Sequence, residues 1–297
     1  MAYGGELAGL ATALCWALTS ILFTIASARF GAVVLNRIRL VLAVLFLGIT
    51  QLIVLGSLIP PGATPAAWLW LGLSGILGLA VGDSLLFHAF TRIGPRNASL
   101  IMSTVPVFSA LLAWIQLGEG LTTIEMLGIV AVSVGVVVVL LERTPSAAVR
   151  RDGLAVGILA AFGAALAQAI SLVVAKAGMP EGLATLSATL IRMIAACASI
   201  WLLALFTGHV GKSLRALRDT RGMLPALGGS VVGPYLGVWL SLVSIRLAPV
   251  GVASSLMGMV PIFVIPLAAV FLRERASARA IIGTVTAVAG GALFFLK

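Results

Sequence analysis

Residues 98–108 read ASLIMSTVPVF, and residues 253–263 read ASSLMGMVPIF. A constant offset of 155 residues (253 minus 98) relates the two stretches, and the match continues without a gap from 98–141 to 253–296. Both copies are built from apolar segments long enough to span a membrane. If each half of the chain holds an odd number of spans, the halves lie upside down relative to each other, which is typical of secondary transporters.

The N-terminal parts of the two halves match less closely but visibly. Gly9 and Ala13 match Gly157 and Ala161 at an offset of 148, which is 157 minus 9. The other matches are an Ile-Arg pair at an offset of 153 and a Gly-xxx-Gly pair at 155: Ile38-Arg39 with Ile191-Arg192, and Gly78 and Gly82 with Gly233 and Gly237. Chance similarity between glycine-rich helices is the alternative, and the gap-free match argues against it. The predicted repeats are 1–142 and 153–297, joined by a linker at 143–152.

Composition predicts an all-α membrane protein. Of 297 residues, 61% are hydrophobic and 9% are charged, whereas a soluble domain carries about a quarter charged residues. Apolar runs of about 20 residues predict ten transmembrane helices, at 5–27, 33–55, 66–90, 98–117, 123–141, 153–175, 183–206, 223–245, 250–272 and 277–296. The N-terminus carries no cleavable signal pattern, and Cys15 and Cys197 are expected to be free thiols within helices.

The basic residues favour one orientation in the membrane. Thirteen Lys and Arg residues lie in the loops after odd-numbered spans, against three on the other side. The positive-inside rule therefore predicts that the odd-numbered loops are cytoplasmic and that both termini are extracytoplasmic. The net charge of +10 is expected to favour anionic lipid headgroups rather than nucleic acid. We call the two ends of the bundle the odd-loop end and the even-loop end.

Several short motifs, in order, resemble one transporter family. They are Trp16 in span 1, Ile38-Arg39 in span 2, GDSLLFHAF at 82–90 followed by Ile93-Gly94-Pro95, and Pro106 with Leu117-Gly118-Glu119, echoed by Pro261 with Leu272-Arg273-Glu274. The set resembles the drug/metabolite transporter superfamily, and within it the ten-span EamA family. The resemblance implies two inverted five-helix repeats that form a basket-shaped bundle around a central cavity, and export of amino acids or other small metabolites. Many relatives have both termini inside, so the charge bias departs from that pattern.

Asp83 is the acid that lies deepest within a predicted span. An ionised carboxylate costs about 2.5–3.5 kcal/mol at such depth unless it is paired or solvated. It is either a proton-coupling or substrate-amine site, or one half of a structural ion pair with Arg39, which enters the membrane from the same side. Arg39 and Arg192 occupy matching repeat positions. They could bind a substrate carboxylate, pair across the cavity, or extend to the membrane interface, and the last is slightly favoured.

Two polar and aromatic faces are candidates for the substrate cavity. Ser84 and His88 lie four residues apart on one helix face, and Tyr235 and Trp239 form the corresponding face of the second repeat. Amphipathic side chains of this kind suit a pocket for a small molecule, although His88 and Tyr235 could equally bond to neighbouring carbonyls. Trp16, with its repeat partner Ala164, and Gln168 could line a water-filled cavity or, more commonly, join helices.

Two matched prolines and two matched glutamates complete the candidates. Pro106 and Pro261 are predicted to be bends that let spans 4 and 9 rock, with static kinks as the alternative. Glu119 and Glu274 end those spans and are expected to be solvated surface groups, although either could latch a gate.

A transporter is the function class that the sequence favours. An intramembrane enzyme would need convergent catalytic groups, and the chain has no His-Glu-x-x-His or Gly-x-Ser-x-Gly motif and no paired deep carboxylates. A channel, or a structural or lipid-handling protein, is the other class. No cofactor or metal is expected. The expected partners are a small-molecule substrate and membrane lipid, in a monomer or homodimer of the plasma (inner) membrane.

Overall fold

The computed structural model describes residues 3–141, 153–271 and 278–296. Within these ranges the chain is helical and contains no strand. Its α-helices are α1 (Gly4–Phe30), α2 (Ala32–Leu55), α3 (Pro65–Gly75), α4 (Asp83–Met102), α5 (Val105–Leu117), α6 (Thr123–Leu140), α7 (Leu154–Ala177), α8 (Thr185–Phe206), α9 (Val210–Ala216), α10 (Thr220–Ser230), α11 (Val238–Leu247), α12 (Val250–Met257), α13 (Val260–Phe271) and α14 (Ala278–Leu293).

Eight continuous apolar segments in these ranges are long enough to cross a membrane, and they correspond to predicted spans 1–8. Two shorter apolar helices, Val250–Ile265 and Ala278–Leu293, fall where spans 9 and 10 were predicted. The multi-pass helical fold is therefore confirmed, while the count of ten remains a prediction. The connection at 207–222 contains a short helix, α9, that the sequence analysis did not anticipate. The predicted linker at 143–152 and the loop with Glu274 lie outside the described residues.

Local sequence explains where the helices begin and end. Thr64 accepts a hydrogen bond from the Ala67 N–H (3.1 Å) at the start of α3. Thr122 and Glu125 form a capping box at the start of α6. Gly94 has φ 80° and ψ 155° within α4, a backbone state that favours glycine, and it separates spans 3 and 4.

Each repeat contains a seven-residue π-helical segment at the same repeat position. The first is Ile76–Gly82 and the second is Val231–Gly237, and both ends are 155 residues apart (231 minus 76). Each lies between two α-helical parts of one span: α3 and α4 in the first repeat, α10 and α11 in the second. π-Helical turns are rare and often occur at functional sites. The repeat thus preserves a local backbone distortion as well as a hydrophobic pattern.

Spans 4 and 9 are each broken before the matched proline. α4 ends at Met102 and α5 begins at Val105, while α12 ends at Met257 and α13 begins at Val260. The breaks are hydrogen-bonded alike: Thr104 N–H donates to the Ile101 carbonyl (3.0 Å), and in the second repeat Met259 N–H donates to the Leu256 carbonyl (3.1 Å). Pro106 and Pro261 therefore lie in the first turn of a new helix, where the missing N–H costs little.

Helix packing follows the repeat. α1 packs along α10, the second π-helical segment and α11, and α7 packs in the same way along α3, the first π-helical segment and α4. Spans 4 and 9 each pack on the first span of the other repeat, α5 on α7 and α12 on α1. The pairs α2 with α8 and α6 with α14 join equivalent helices, whereas α5 and α12, which also pack together, are opposite halves of the equivalent spans 4 and 9. The two halves are thus intertwined, and most of the packing between helices joins one half to the other.

The closest of these pairings joins α6 and α14 through matched glycines. A Cβ added at Gly135 would lie 2.4 Å from the Ala287 nitrogen, and one at Gly283 would lie 2.7 Å from the Gly135 carbonyl oxygen. Gly290 is similarly close to Ala131. Small residues permit such close approach of helix backbones in lipid.

Candidate functional site

Asp83 and Arg39 form an ion pair inside the first repeat. Asp83 begins α4 directly after the first π-helical segment, and its carboxylate accepts a hydrogen bond from Arg39 Nη2. Arg39 Nε donates to Asn36 Oδ1 (2.6 Å), and its guanidinium lies 5.9 Å from the centre of the Phe23 ring. The side chains are 13% (Arg39) and 22% (Asp83) exposed. The structure thus contains the ion pair that the sequence offered as one alternative for Asp83, and Arg39 does not extend to the interface.

Arg192 is buried rather than extended to the membrane interface, so the favoured expectation for this residue was wrong. Its side chain is 1% exposed, and Nη2 donates to Ser171 Oγ (3.1 Å). Nε and Nη1 have no hydrogen-bond partner among the described residues. The reason lies in the neighbouring helices: a Cβ at Gly75 would lie 2.2 Å from the Arg192 carbonyl oxygen, so α3 covers this part of α8.

Tyr235 and Trp239 are brought together and bonded to other helices. The Tyr235 hydroxyl and Thr50 Oγ1 are 2.8 Å apart, and Trp239 Nε1 donates to Thr185 Oγ1 (3.2 Å). The Tyr235 ring centre lies 6.3 Å from that of Trp239 and 6.0 Å from that of Phe46. Tyr235 therefore bonds to a hydroxyl group of the other repeat, not to a carbonyl.

Ser84 and His88 are both exposed on α4. Ser84 Oγ donates to the Ala80 carbonyl of its own span (2.5 Å). No hydrogen bond or ring contact described for the structure links this pair to Tyr235 or Trp239. The two predicted faces therefore do not meet in this conformation.

Trp16 and Gln168 lie against the glycines of the π-helical segments. A Cβ at Gly237 would be 2.9 Å from Trp16 Cδ1, and one at Gly78 would be 3.3 Å from Gln168 Oε1. Ala164, the repeat partner of Trp16, lies against Gly82, with its carbonyl oxygen 3.8 Å from the Cβ position. Both side chains thus fill the seam between the repeats, which agrees with the helix-joining alternative.

A polar clasp joins three helix ends at the even-loop end. Lys176 Nζ is 2.5 Å from Glu119 Oε1, and it also donates to the Ala248 carbonyl (2.8 Å). Glu119 Oε2 accepts from the Val250 N–H (2.7 Å). The clasp therefore ties the end of α5 to the end of α7 and the start of α12. Glu119 is engaged between the repeats and is not the solvated surface group that was expected.

One further ion pair joins the repeats at the odd-loop end. Arg29 Nε donates to Asp219 Oδ2 (2.6 Å), and Asp219 also caps α10 through the Gly222 N–H (3.2 Å). The hydrogen bond from Arg29 lowers the pKa of the Asp219 carboxyl below its usual range. This pair is more exposed than the clasp.

The sequence profile of one family matches both halves of this architecture, over residues 3–141 and 155–296. The chain belongs to the EamA-like transporter family. No curated protein matches the chain. Among 29 matching chains of known structure, one, a crystal structure described only as that of a protein, has a TM-score of 0.79 and 18% sequence identity, and the match covers 100% of this chain and 98% of that chain. At that identity the likeness shows the fold alone.

Family membership confirms the resemblance drawn from the sequence and groups the chain with membrane transporters. Two small pockets of this EamA-like chain each hold about 10 Å³, room for roughly one water molecule. One lies between α5 and α7, the other beside Pro106 and Gly258, and neither is lined by the predicted cavity residues. Within the described ranges, no group of His, Cys, Asp or Glu side chains could hold a metal ion.

Sequence reasoning missed the clasp, the burial of Arg192 and the two π-helical segments of this EamA-like protein. Of these three features, only the π-helical segments have a clear signal in the sequence, which is the Gly-xxx-Gly pair that recurs at an offset of 155 (233 minus 78). Lys176 was one of the few basic residues at the even-loop end, which is the remaining hint of the clasp.

Proposed function

We propose that this EamA-like protein is a secondary transporter that exports amino acids or related zwitterions by alternating access across the plasma (inner) membrane. Alternating access requires two states in which the repeats exchange their conformations. The observation that carries the proposal is that the two ends of the bundle are packed differently, although they are built from equivalent repeat elements.

The even-loop end is tightly closed. α5 and α12 meet there, and a Cβ at Gly251 would lie 2.7 Å from Ala110 Cβ. The clasp of Glu119, Lys176 and Val250 lies at the same end. Spans 4 and 9 are therefore held together on this side of their breaks.

The odd-loop end is packed more loosely around the same two spans. Beyond the breaks, α13 packs on α1, α6 and α14, and within the described residues it has no comparable packing on α4. Pro106 and Pro261 begin the helices at these breaks, which supports their role as hinges. Exchanging these two arrangements would open the even-loop end and close the odd-loop end.

The polar interior suits a zwitterion. Asp83 offers a carboxylate for an amine, and Arg192 offers a guanidinium group for a carboxylate. Trp16, Tyr235 and Trp239 supply aromatic surface with polar tips, and His88 and Ser84 add polar groups along α4. Asp83 is also the candidate for proton coupling, because a change of its charge would break the pair with Arg39.

The charge bias predicts which side of the membrane the closed end faces. With the odd-numbered loops in the cytoplasm, both termini are extracytoplasmic and the closed even-loop end faces outwards. The present conformation is then closed to the outside, a state through which an exporter and an importer both pass, and the direction of export is proposed from the family likeness.

Transport by purified protein in liposomes tests the function. Radiolabelled amino acids and other small metabolites are offered with and without a proton gradient, and empty liposomes are the control. We expect uptake of at least one zwitterion above the control. Uptake driven only towards the cytoplasmic face would make the protein an importer, and binding of lipid without any transport would favour a lipid-handling role.

A reversible cross-link tests alternating access. Ala110→Cys and Gly251→Cys, in a background without Cys15 and Cys197, place two thiols at the closed even-loop end, where the two Cβ atoms must move apart by about 1 Å to reach disulfide geometry. We expect oxidation to stop transport and reduction to restore it, while either single variant is unaffected by oxidation. Undiminished transport by the cross-linked protein would refute alternating access at this end.

A further inference from the structure

The two repeats hold the same arginine in different surroundings. Arg39 and Arg192 are repeat equivalents, and each lies seven residues from the start of its helix, α2 or α8. That places both roughly 10 Å from opposite ends of the bundle. Arg39 is paired with Asp83, whereas Arg192 has one hydroxyl partner and is almost completely buried.

The missing countercharge follows from the sequence of the second repeat. At the offset of 155 (238 minus 83), the position of Asp83 is occupied by Val238. Val238 packs in the same apolar cluster as Leu190 and Met193, which lie two residues before and one residue after Arg192 along α8. The second repeat thus keeps the arginine and replaces its acid with a hydrocarbon.

The other residues around Arg39 also differ from their repeat equivalents around Arg192. Phe23, which lies under the Arg39 guanidinium, corresponds to Ser171 at the offset of 148 (171 minus 23), and Ser171 donates to the Ser74 carbonyl (2.8 Å) while it accepts from Arg192. Asn36, which accepts from Arg39, corresponds to Thr189 at 153 (189 minus 36), whose hydroxyl donates to the Thr185 carbonyl (2.7 Å). Among the described residues, Arg192 has polar contacts but no ion-pair partner.

A buried guanidinium with two unpartnered nitrogens is costly, and an anion is the group that satisfies it best. A carboxylate matches the geometry of a guanidinium and can accept two of its hydrogen bonds at once. Arg192 lies seven residues, roughly 10 Å, from the end of α8 at the even-loop end, the end at which the clasp joins the repeats. Arg39 needs no external anion, since Asp83 already neutralises it.

We propose that Arg192 is the subsite for the carboxylate of the cargo, reached when the even-loop end opens. This inference rests on the proposed transport function and narrows its cargo to small molecules that carry a carboxylate. Val238 is the specificity determinant, because an acid at that position would occupy Arg192 permanently. The second repeat thus receives from the cargo the charge that the first repeat supplies from its own chain.

The test compares acids with their amides on the purified full chain in detergent. The probes are an equimolar mixture of neutral amino acids and the matched mixture of their amides, and the readout is the midpoint of thermal unfolding. We expect the acids, but not the amides, to stabilise the wild-type protein. Equal stabilisation by both mixtures, or none by either, would overturn the proposal.

Val238→Asp and Val238→Asn form a matched pair of variants of equal size. We expect Val238→Asp to weaken the apparent affinity for the acids by at least about tenfold, and Val238→Asn to retain most of it. Arg192→Met could fail to fold, so the test relies on the two variants at residue 238. Size-exclusion elution checks that both of these variants are folded. Equal effects of the Asp and Asn variants on acid affinity would contradict the assignment.

Liposome transport separates this inference from the function itself. If wild-type protein transports acids and amides equally, the carboxylate subsite is wrong and the transporter proposal stands. If acids stabilise the protein in a manner that depends on residue 238 but no solute is transported, the subsite stands and the transporter proposal is wrong.

Discussion

At the scale of the residue, charge decides the arrangement of the first repeat. Asp83, Arg39 and Asn36 form a connected polar group at membrane depth, where water cannot supply hydrogen bonds. The pair is mostly buried, so each member depends on the other for its charged state to be tolerated. Removal of one member is therefore expected to cost more than removal of both.

Asp83→Asn should destabilise the protein by about 1–3 kcal/mol, because it leaves Arg39 without a countercharge. Arg39→Gln combined with Asp83→Asn should recover part of that loss, which a double-mutant cycle of thermal or denaturant unfolding measures. If Asp83 couples transport to protons, Asp83→Asn also abolishes the pH dependence of transport. An unchanged pH profile in the folded variant would rule out the coupling role.

The pair of Arg29 and Asp219 gives a separate pH signature outside the bilayer. Because the pKa of Asp219 is lower in the folded state than in the unfolded chain, its contribution to stability is present above the unfolded value, about 4. That contribution is lost as the pH falls through the lower folded value. Asp219→Asn retains a capping side chain but should remove this loss, so its unfolding midpoint should change less than that of wild type between neutral and strongly acidic pH. A parallel decrease in both proteins would contradict this assignment.

At the scale of the element, the two π-helical segments and the broken spans set how closely the repeats approach. Each π-helical segment presents a glycine to a polar side chain of the opposite repeat: Gly78 to Ser171, and Gly233 to Thr19. The distances from the added Cβ to the two hydroxyl oxygens are 2.4 Å and 2.6 Å, which no side chain could occupy without a shift. These contacts therefore require glycine for reasons of space.

Gly78→Ala should lower the free energy of unfolding by about 1–3 kcal/mol through overpacking against Ser171. Gly72→Ala, in α3 of the same span, is the matched control, since its Cβ would meet Ala195 Cβ at an ordinary 3.5 Å. The control should be neutral or stabilising by up to about 1 kcal/mol, as for other glycines in helices. Unfolding in detergent measures both, and an equal loss in the two variants would contradict a special role for Gly78.

The clasp makes a prediction about opening of the even-loop end. Glu119→Gln should weaken the hold on Lys176 and Val250 by about 1–2 kcal/mol and so favour the open state roughly 5–30-fold. The labelling rate of Ala253→Cys, a fully buried position in α12, reports this opening in a background without the native cysteines. Glu181→Gln, an exposed acid in the loop after α7, is the control and should leave the rate unchanged. Equal rates in all three proteins would show that the clasp does not hold this end closed.

At the scale of the whole molecule, the repeat determines the fold. The sequence reveals the repeat because the apolar runs that span the membrane, and the glycines and prolines within them, recur in the second half of the chain. The ion pair of Asp83 and Arg39 was accessible to the same reasoning, since both residues enter from one side to similar depth. The clasp was not, because Glu119 and Lys176 lie at the ends of helices that belong to different repeats. Burial of Arg192 depends on how closely Gly75 lets α3 approach, and π-helical backbone depends on packing across the seam.

The orientation of the whole molecule is a separate prediction. Lys297→Cys should react with a membrane-impermeant thiol reagent on intact cells, while Arg221→Cys should react only after permeabilisation, in a background without native cysteines. The reverse pattern would place both termini inside, in keeping with many relatives. It would also turn the closed even-loop end towards the cytoplasm.

The glycine-matched pair of α6 and α14 has a mechanical consequence. Their backbones touch along Gly135, Gly283 and Gly290, so neither helix can slide or rotate against the other without a collision of main-chain atoms. The last spans of the two repeats are therefore expected to behave as one rigid unit. If the repeats exchange conformations as we propose, the movement should take place in the other spans, and the solute should pass on the side of the bundle away from α6 and α14.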